Sequence, residues 1–190
     1  MSQTLRFPDA VPEFQGDVVS LRDLTVEDVP AWFQRASDPE SSALSGDPIP
    51  ESPQMGVPWL ERHRERFRHQ TGIQWAIVPK GSAESVGSIG LTITSKEERI
   101  AELGIVIGRA HWGQGIGTSA ARLVLPYAFN TLGLTEIRAE FLQSNVASRR
   151  LLEKVGFHFQ RAMPGDPQSD AGSQDCYLYV LQSQNMGGSP

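Results

Sequence analysis

The chain has 190 residues, and 17 Lys plus Arg against 22 Asp plus Glu give it a formal charge of −5. Hydrophobic residues at 39% and charged residues at 21% exclude a disordered or fibrous chain, and the length suits one domain over residues 1–190. The acidic balance argues against a nucleic-acid or anionic-membrane partner. No apolar run reaches the roughly 18 residues of a membrane span. The single cysteine, Cys176, excludes an internal disulfide and a cysteine-based zinc cluster. With no signal-like stretch near Met1, a cytoplasmic enzyme or binding domain is the expectation.

In chain order, residues 1–16 and 183–190 read as loose tails. A strand is predicted from Val18 to Leu24. A helix follows, opened by Thr25 with Asp28 three residues on, and Val29, Trp32 and Phe33 form its apolar side. From Ser37 to Pro58 the prolines Pro39, Pro48, Pro50, Pro53 and Pro58 predict a long surface loop. Trp59 to His69 reads as a helix whose arginines (Arg62, Arg64, Arg66, Arg68) form a solvated face. Ile73–Val78, Ser85–Thr94 and Ile100–Ile107 read as strands joined by short turns, hence antiparallel neighbours.

The pattern then changes. Gly113, Gly115 and Gly117 lead into a helix that runs to Leu132 and is closed by Gly133, with a kink expected between Arg122 and Pro126. A strand (Glu136–Leu142), a helix (Asn145–Val155) and two strands (Phe157–Arg161, Asp175–Leu181) complete the chain. The fold class is therefore α/β of the α+β type: a twisted mixed sheet of roughly six or seven strands flanked by helices.

The segment from Glu102 to Gly117 carries the chemistry. An apolar strand runs into a glycine loop that opens a helix, where unpaired amides and the helix dipole bind phosphate without a basic side chain. Glycine keeps Cβ atoms out of the way and permits the backbone angles required. This predicts a ligand bearing phosphate, most simply a nucleotide-containing cofactor. Gly115-Ile-Gly117-Thr-Ser-Ala120 also fits the dinucleotide fingerprint, with Glu136 or Glu140 downstream. The antiparallel strands before it and the short chain after Arg161 argue against a doubly wound sheet. The Walker A pattern fails, since no Lys-Ser/Thr pair follows the glycines.

Trp112-Gly-Gln-Gly-Ile-Gly117 resembles the acyl-CoA pyrophosphate loop of the GNAT superfamily of N-acetyltransferases. Asn145-Val-Ala-Ser-Arg-Arg-Leu-Leu-Glu-Lys-Val-Gly-Phe157 resembles the second motif of that superfamily. The resemblance spans Val18 to Leu181, with the Pro-rich loop its least typical part. Glu102-Leu-Gly and Trp112-Gly-Gln-Gly resemble the RimJ/RimL-like branch, whose members acetylate protein N-terminal amines and, in some cases, small amines. What this implies is a GNAT-like fold, acetyl-CoA as cosubstrate, no metal, and direct attack by a primary amine in a ternary complex. The acceptor would be a peptide N-terminus or a small molecule, and the protein a monomer or homodimer.

The resemblance also implies roles for particular residues. The Val106 and Ile107 backbone lines the pantetheine arm in a gap opened by a bulge, expected at Gly104 or Gly108. Trp112, Gly113, Gln114, Gly115, Ile116, Gly117 and Thr118 cradle the diphosphate, and Arg150 and Lys154 are candidates to meet the CoA phosphates. Glu102 is the candidate general base; the plain alternative is a surface carboxylate. Leu152 stands where many members place a tyrosine that protonates the departing thiolate. That leaves Ser148 as candidate donor or as a mere helix-start residue. Asn145 caps its helix and is a candidate partner for the cofactor's amide arm. Tyr177 and Asp175 are expected on the acceptor side, with Cys176 facing away. The acceptor cleft is expected between residues 37–58, the Trp59–His69 helix and the turn 162–174, whose Asp166 and Asp170, with Asp175, favour a cationic acceptor. Two rivals stay open: a catalytically weak acyl-CoA sensor module and a dinucleotide-dependent oxidoreductase.

Overall fold

A computed structural model describes residues 4–45, 48–165 and 174–184. Its strands are β1 (Phe14–Gln15), β2 (Val19–Asp23), β3 (Gly72–Pro79), β4 (Gly87–Ser95), β5 (Ile100–Ile107), β6 (Glu136–Leu142), β7 (His158–Met163) and β8 (Cys176–Gln182). They form one sheet in the order β1-β2-β3-β4-β5-β6-β8-β7. The helices are α1 (Val29–Ala36), α2 (Pro39–Ser45), α3 (Gly56–Arg68), α4 (Ile116–Tyr127) and α5 (Val146–Lys154). Strands β1 to β5 are antiparallel neighbours, β5 and β6 are parallel, and β6-β8-β7 is antiparallel again. A sheet with only β5 and β6 parallel is not doubly wound, which removes the oxidoreductase reading.

The alternation of residues along the strands separates two faces. Ile73, Trp75, Ile77, Ile89, Leu91, Ala101, Leu103, Ile137 and Ala139 pack against Ala120, Ala121, Val124 and Ala128 of the α4 segment in the main core. Helix α5 lies on the same side, where the Tyr179 hydroxyl donates to Glu153 Oε1 at 3.1 Å. The other face carries α1, α2 and α3, with a smaller cluster of Leu24, Leu60, Ala76 and Trp59 beneath them. Trp32 of α1 stacks on Trp59 of α3 at 5.4 Å between ring centres, joining the two helices.

Several expectations need correction. The Pro-rich stretch is not all loop: it holds α2, and α3 begins at Gly56 rather than Trp59. Pro39 and Pro58 fall in the first turns of those helices, where a missing N–H removes no internal bond, and Asp38 Oδ1 accepts from the Ser41 amide at 2.8 Å to cap α2. The amino-terminal segment is packed rather than loose from residue 4 onward. Leu5, Phe7, Val11 and Phe14 pack on the main core, the Trp75 indole donates to the Pro12 carbonyl at 2.7 Å, and Phe14–Gln15 adds an eighth strand. Of the expected carboxyl-terminal tail, residues 185–190 lie outside the described residues. The irregularity caused by Pro126 falls after it, as a π-helical turn over Ala128–Leu132 that Gly133 closes at φ 87°. Thr25 and Asp28 do form the expected capping box, and Arg22 grips the Asp28 carboxylate with two bonds of 2.8 and 2.9 Å.

Candidate active site

The ladder between β5 and β6 has three rungs: Ile100–Glu136, Ala101–Ile137 and Glu102–Arg138. Beyond Glu102, β5 stays paired with β4 as far as Gly87–Ile107, while β6 stays paired with β8 as far as Leu142–Cys176. The two strands therefore part, and from Leu103 to Ile107 one edge of β5 has no neighbouring strand among the described residues. This is the gap expected from the sequence, made differently. No bulge occurs at Gly104 or Gly108; the register shift lies on β4 between Ile93 and Ser95. The gap opens because each strand follows its outer partner. Gly104 faces open space, with nothing within 4 Å of where a Cβ would stand.

At the end of β5 the chain makes a short 3-10 turn (Arg109–His111) and then the glycine loop. Gly113 and Gly115 have φ of 74° and 76°, and a Cβ on either would meet nothing within 4 Å. These two positions need glycine for backbone conformation. Gly117 is glycine for a different reason: it is buried, and a Cβ there would come within 2.6 Å of Leu151 on α5. From Gly113 to Thr118 no main-chain amide has an acceptor among the described residues; internal bonding resumes with the Ser119 amide to the Gly115 carbonyl at 2.9 Å. The loop is braced by its own side chains. The Trp112 indole donates to the Ile107 carbonyl at 2.7 Å, and Gln114 Nε2 donates to the Ala110 carbonyl at 3.1 Å. The result is an open cradle of unpaired donors at the amino end of α4, with Ile116 and Gly117 buried behind it. Its chemistry fits a diphosphate.

Glu102 sits at the point where the strands part, half-buried, on the face opposite α4. Among the described residues its carboxylate has neither a hydrogen bond nor an ion pair. Burial pushes that carboxyl above the usual range, the charge of Glu140 adds to the shift, and Arg66 opposes it. Arg66 reaches from α3 to Thr92 Oγ1 at 3.5 Å, and Thr92 is the cross-strand neighbour of Glu102. His63, one turn earlier on α3, stacks edge-on against Trp59 at 5.1 Å. Its pKa is lowered to about 4 by burial and by the charges of Arg66 and Arg62. The imidazole is thus neutral near pH 7.

At the other wall, Asn145 caps α5 by accepting from the Ser148 amide at 3.0 Å, and its Nδ2 donates to the Leu44 carbonyl at the end of α2 at 3.1 Å. Both ends of that amide are engaged within the protein. Ser148 is half-buried and its hydroxyl has no partner among the described residues; Arg150 is exposed on the same helix, also without an ion pair among them. The orientation expected of β8 is reversed. Tyr177 packs with Phe141 and Phe159 on the α5 face, and Cys176 lies on the Glu102 side. There burial raises the thiol's pKa, helped by Glu140 and Asp175. The register with β6 causes this, since it pairs Leu142 with Cys176 and Phe141 with Tyr177. Asp175 accepts from the Gly165 amide at 3.1 Å; Asp166 and Asp170 lie outside the described residues. A partly open cavity of about 160 Å³ lies elsewhere, between α3, Asp23 and Val11. The gap is an open groove.

The sequence reading missed four charged residues. Glu140 and Arg66 set the potential around Glu102. Arg109 pairs with Asp38 at 3.6 Å and Glu40 at 3.1 Å, tying the loop to the start of α2. Arg35 is buried on α1.

Residues 19–158 match the family described as the acetyltransferase (GNAT) domain. The chain belongs to that family. Among GNAT relatives, the uncharacterized N-acetyltransferase YoaA of Bacillus subtilis is 32% identical over 146 residues, which cover 77% of this chain and 82% of that protein. Of solved structures, a GNAT-family acetyltransferase from Bacillus anthracis superposes with a TM-score of 0.79 at 18% identity, covering 91% of this chain and 99% of that one. Spermidine N-acetyltransferase from Vibrio cholerae, solved with CoA and spermine, gives a TM-score of 0.75 at 18% identity, covering 88% and 96%. The GNAT fold and an acyltransferase activity follow from the family, which uses acetyl-CoA. No helix among the described residues is long and apolar enough to cross a membrane.

Proposed function

We propose that this GNAT enzyme moves an acetyl group from acetyl-CoA to a primary amine by direct attack, with the site divided between the two faces of the sheet. The observation that carries the reading is the end of β5–β6 pairing at Glu102, which puts a half-buried carboxylate at the mouth of a gap leading to the amide cradle. The amides from Gly113 to Thr118 hold the diphosphate, Gly115 and Gly113 by leaving the approach bare and Gly117 by letting α4 sit close to α5. The unpaired edge of β5 at Val106 and Ile107 grips the pantetheine arm. Bound acetyl-CoA supplies an activated acyl group; the protein supplies position and proton transfer.

Glu102 takes a proton from the incoming ammonium, directly or through water. Its raised pKa suits the task, because a base near the working pH is the more effective. Glu140, on the same face of β6, adds to the negative potential that draws an ammonium in. Ser148 donates toward the departing sulfur, since Leu152 offers no proton. Arg150 meets the phosphates at the rim. The sequence features at Glu102-Leu-Gly and Trp112-Gly-Gln-Gly favour the RimJ/RimL-like branch.

The test is thiol release from acetyl-CoA with a panel of small amines and N-terminal peptides. Release that depends on an amine supports the reading. Tight acetyl-CoA binding with no release from any acceptor would favour a sensor module.

A further inference from the structure

Gly104 is exposed although β5 lies in the middle of the sheet, and nothing stands within 4 Å of where its Cβ would be. It faces the same side as Glu102, two residues earlier, since side chains alternate along a strand. Its partner on β4 is Gly90, and the partner of Gly90 on β3 is Gln74, so Gln74, Gly90 and Gly104 form one row leading toward the gap. Gly90 is buried, and the Gln74 side chain covers it: a Cβ on Gly90 would fall 1.8 Å from Gln74 Oε1 and 2.6 Å from its Cδ. The amide therefore reaches from β3 over β4, in the direction of Gly104. It makes no side-chain hydrogen bond among the described residues, and neither of its polar atoms is sealed from solvent. Position 90 must lack a side chain to seat this amide, yet the amide bonds no group of the described protein.

Glu102 and Gly90 are diagonal neighbours across β4 and β5, a relation that separates residues by roughly 7–8 Å. With a hydrogen bond of roughly 2.9 Å at each end, an ammonium at Glu102 and a group bonded to the Gln74 amide lie close together in one molecule, resting on the bare backbone of Gly104. The amide offers a donor and an acceptor and carries no charge. Its complement is a neutral group that does the same, such as a carboxamide. A carboxylate there would meet the negative potential of Glu102 and Glu140, and an alkyl chain would take water from the amide without replacing its bonds. Gln74 also lines the partly open cavity beneath α3, which gives room for what the acceptor carries past that group.

We propose that Gln74 is a specificity-determining residue: across the floor kept bare by Gly104 it hydrogen-bonds a neutral polar group beside the acceptor's amine, so that the enzyme prefers α-amino amides to plain alkylamines. This rests on the amine-acetylation reading and names its substrate class. The amide comes on a small molecule or as the first peptide unit of a chain, and the test separates the two.

The test compares glycinamide with isobutylamine, primary amines of matched shape in which methyl groups replace the carboxamide oxygen and nitrogen. Each is assayed by thiol release with wild type, Gln74→Met and Gly104→Ala; acetyl-CoA affinity is followed by calorimetry and folding by thermal denaturation. The two amines differ in basicity, so the quantity read is the change in their kcat/KM ratio from one protein to another. That ratio also cancels the fraction of folded enzyme, so a lower Tm in Gln74→Met does not disturb it. Gln74→Met keeps the length of the side chain without its amide. It should lower kcat/KM for glycinamide by about 3- to 10-fold relative to isobutylamine, through KM, with acetyl-CoA affinity unchanged. Gly104→Ala puts a methyl group on the bare floor. Its Tm should equal or exceed that of wild type, since glycine weakens a strand relative to alanine, while KM for both amines rises by about 10-fold and acetyl-CoA affinity holds. An unchanged ratio in Gln74→Met, an unchanged KM in Gly104→Ala, or weaker acetyl-CoA binding in either variant would overturn the proposal. Glycylalaninamide run beside glycinamide identifies the source of the amide by the higher kcat/KM, and that substrate must show the same dependence on Gln74. If wild type releases no thiol with any amine, the transferase reading fails separately. The proposal is then decided by whether glycinamide, with CoA present, raises the Tm of wild type but not of Gln74→Met; no rise, or an equal rise in both, overturns it.

Discussion

Gly115→Ala separates the cradle from the fold. Gly115 has φ of 76°, and its Cβ would meet nothing within 4 Å. The folding cost is therefore only that of placing an L-residue in the left-handed region, about 1–2 kcal/mol. For a chain of this length each kcal/mol lowers Tm by roughly 2–4 °C, so a fall of roughly 2–8 °C is expected. The methyl group would stand on the open side of the loop, where phosphate oxygens approach the amides. Losing one charge-assisted hydrogen bond of about 1.5–3 kcal/mol weakens acetyl-CoA binding by about 10- to 100-fold. Gly117→Ala is the contrast. Its Cβ would fall 2.6 Å from the Leu151 side chain, an overpacking that costs about 1–3 kcal/mol and acts on stability first. Calorimetric titration with acetyl-CoA and thermal denaturation of both variants give the comparison. Wild-type affinity in Gly115→Ala, alongside the expected fall in Tm, would refute the cradle.

Glu102→Gln should lower kcat by about 100-fold or more and remove the acid limb of the pH–rate profile. The wild-type limb should lie above the usual carboxylate range, because burial and the Glu140 charge raise that carboxyl. The same shift fixes the sign for stability. A carboxyl whose folded pKa is raised disfavours the fold once ionised, so Glu102→Gln should melt higher than wild type at neutral pH and equally in acid. His63, held down to about 4 by burial and by Arg66 and Arg62, makes stability fall as pH drops from its ordinary value of 6.5 toward 4, the window in which only the unfolded chain takes up the proton. His63→Gln should flatten that part of the curve of Tm against pH. Asp28→Asn should cost about 2–3 kcal/mol in denaturant titration, since it weakens a doubly bonded Arg22 pair on a carboxylate that also caps Thr25. Ser148→Ala should lower kcat with acetyl-CoA affinity retained; unchanged kcat would remove Ser148 from proton transfer.

Much of this architecture was legible because it is written in local patterns. The glycine spacing from Gly113 to Gly117, the strand before it and the Asn145 cap each depend on neighbours in sequence, and each was placed. The gap was expected but its origin was not, since parting of β5 from β6 is decided by β4 and β8, strands far away in sequence. Register with β6 likewise decides that Cys176, and not Tyr177, shares a face with Glu140, and a one-residue difference reverses a strand's faces. Helix α2 was hidden because prolines read as breakers, although at the first helical position a proline is favourable. Arg35 looked like an ordinary helix arginine. Only the packed structure shows that it is buried.

A crystal structure of the protein with CoA tests the central claim most directly. The account predicts both phosphates of the diphosphate within hydrogen-bond distance of amides between Gly113 and Thr118, and the pantetheine arm lying between β5 and β6 past Glu102. Diphosphate bound away from that loop, or β5 and β6 drawn together with the arm lying outside them, would contradict it.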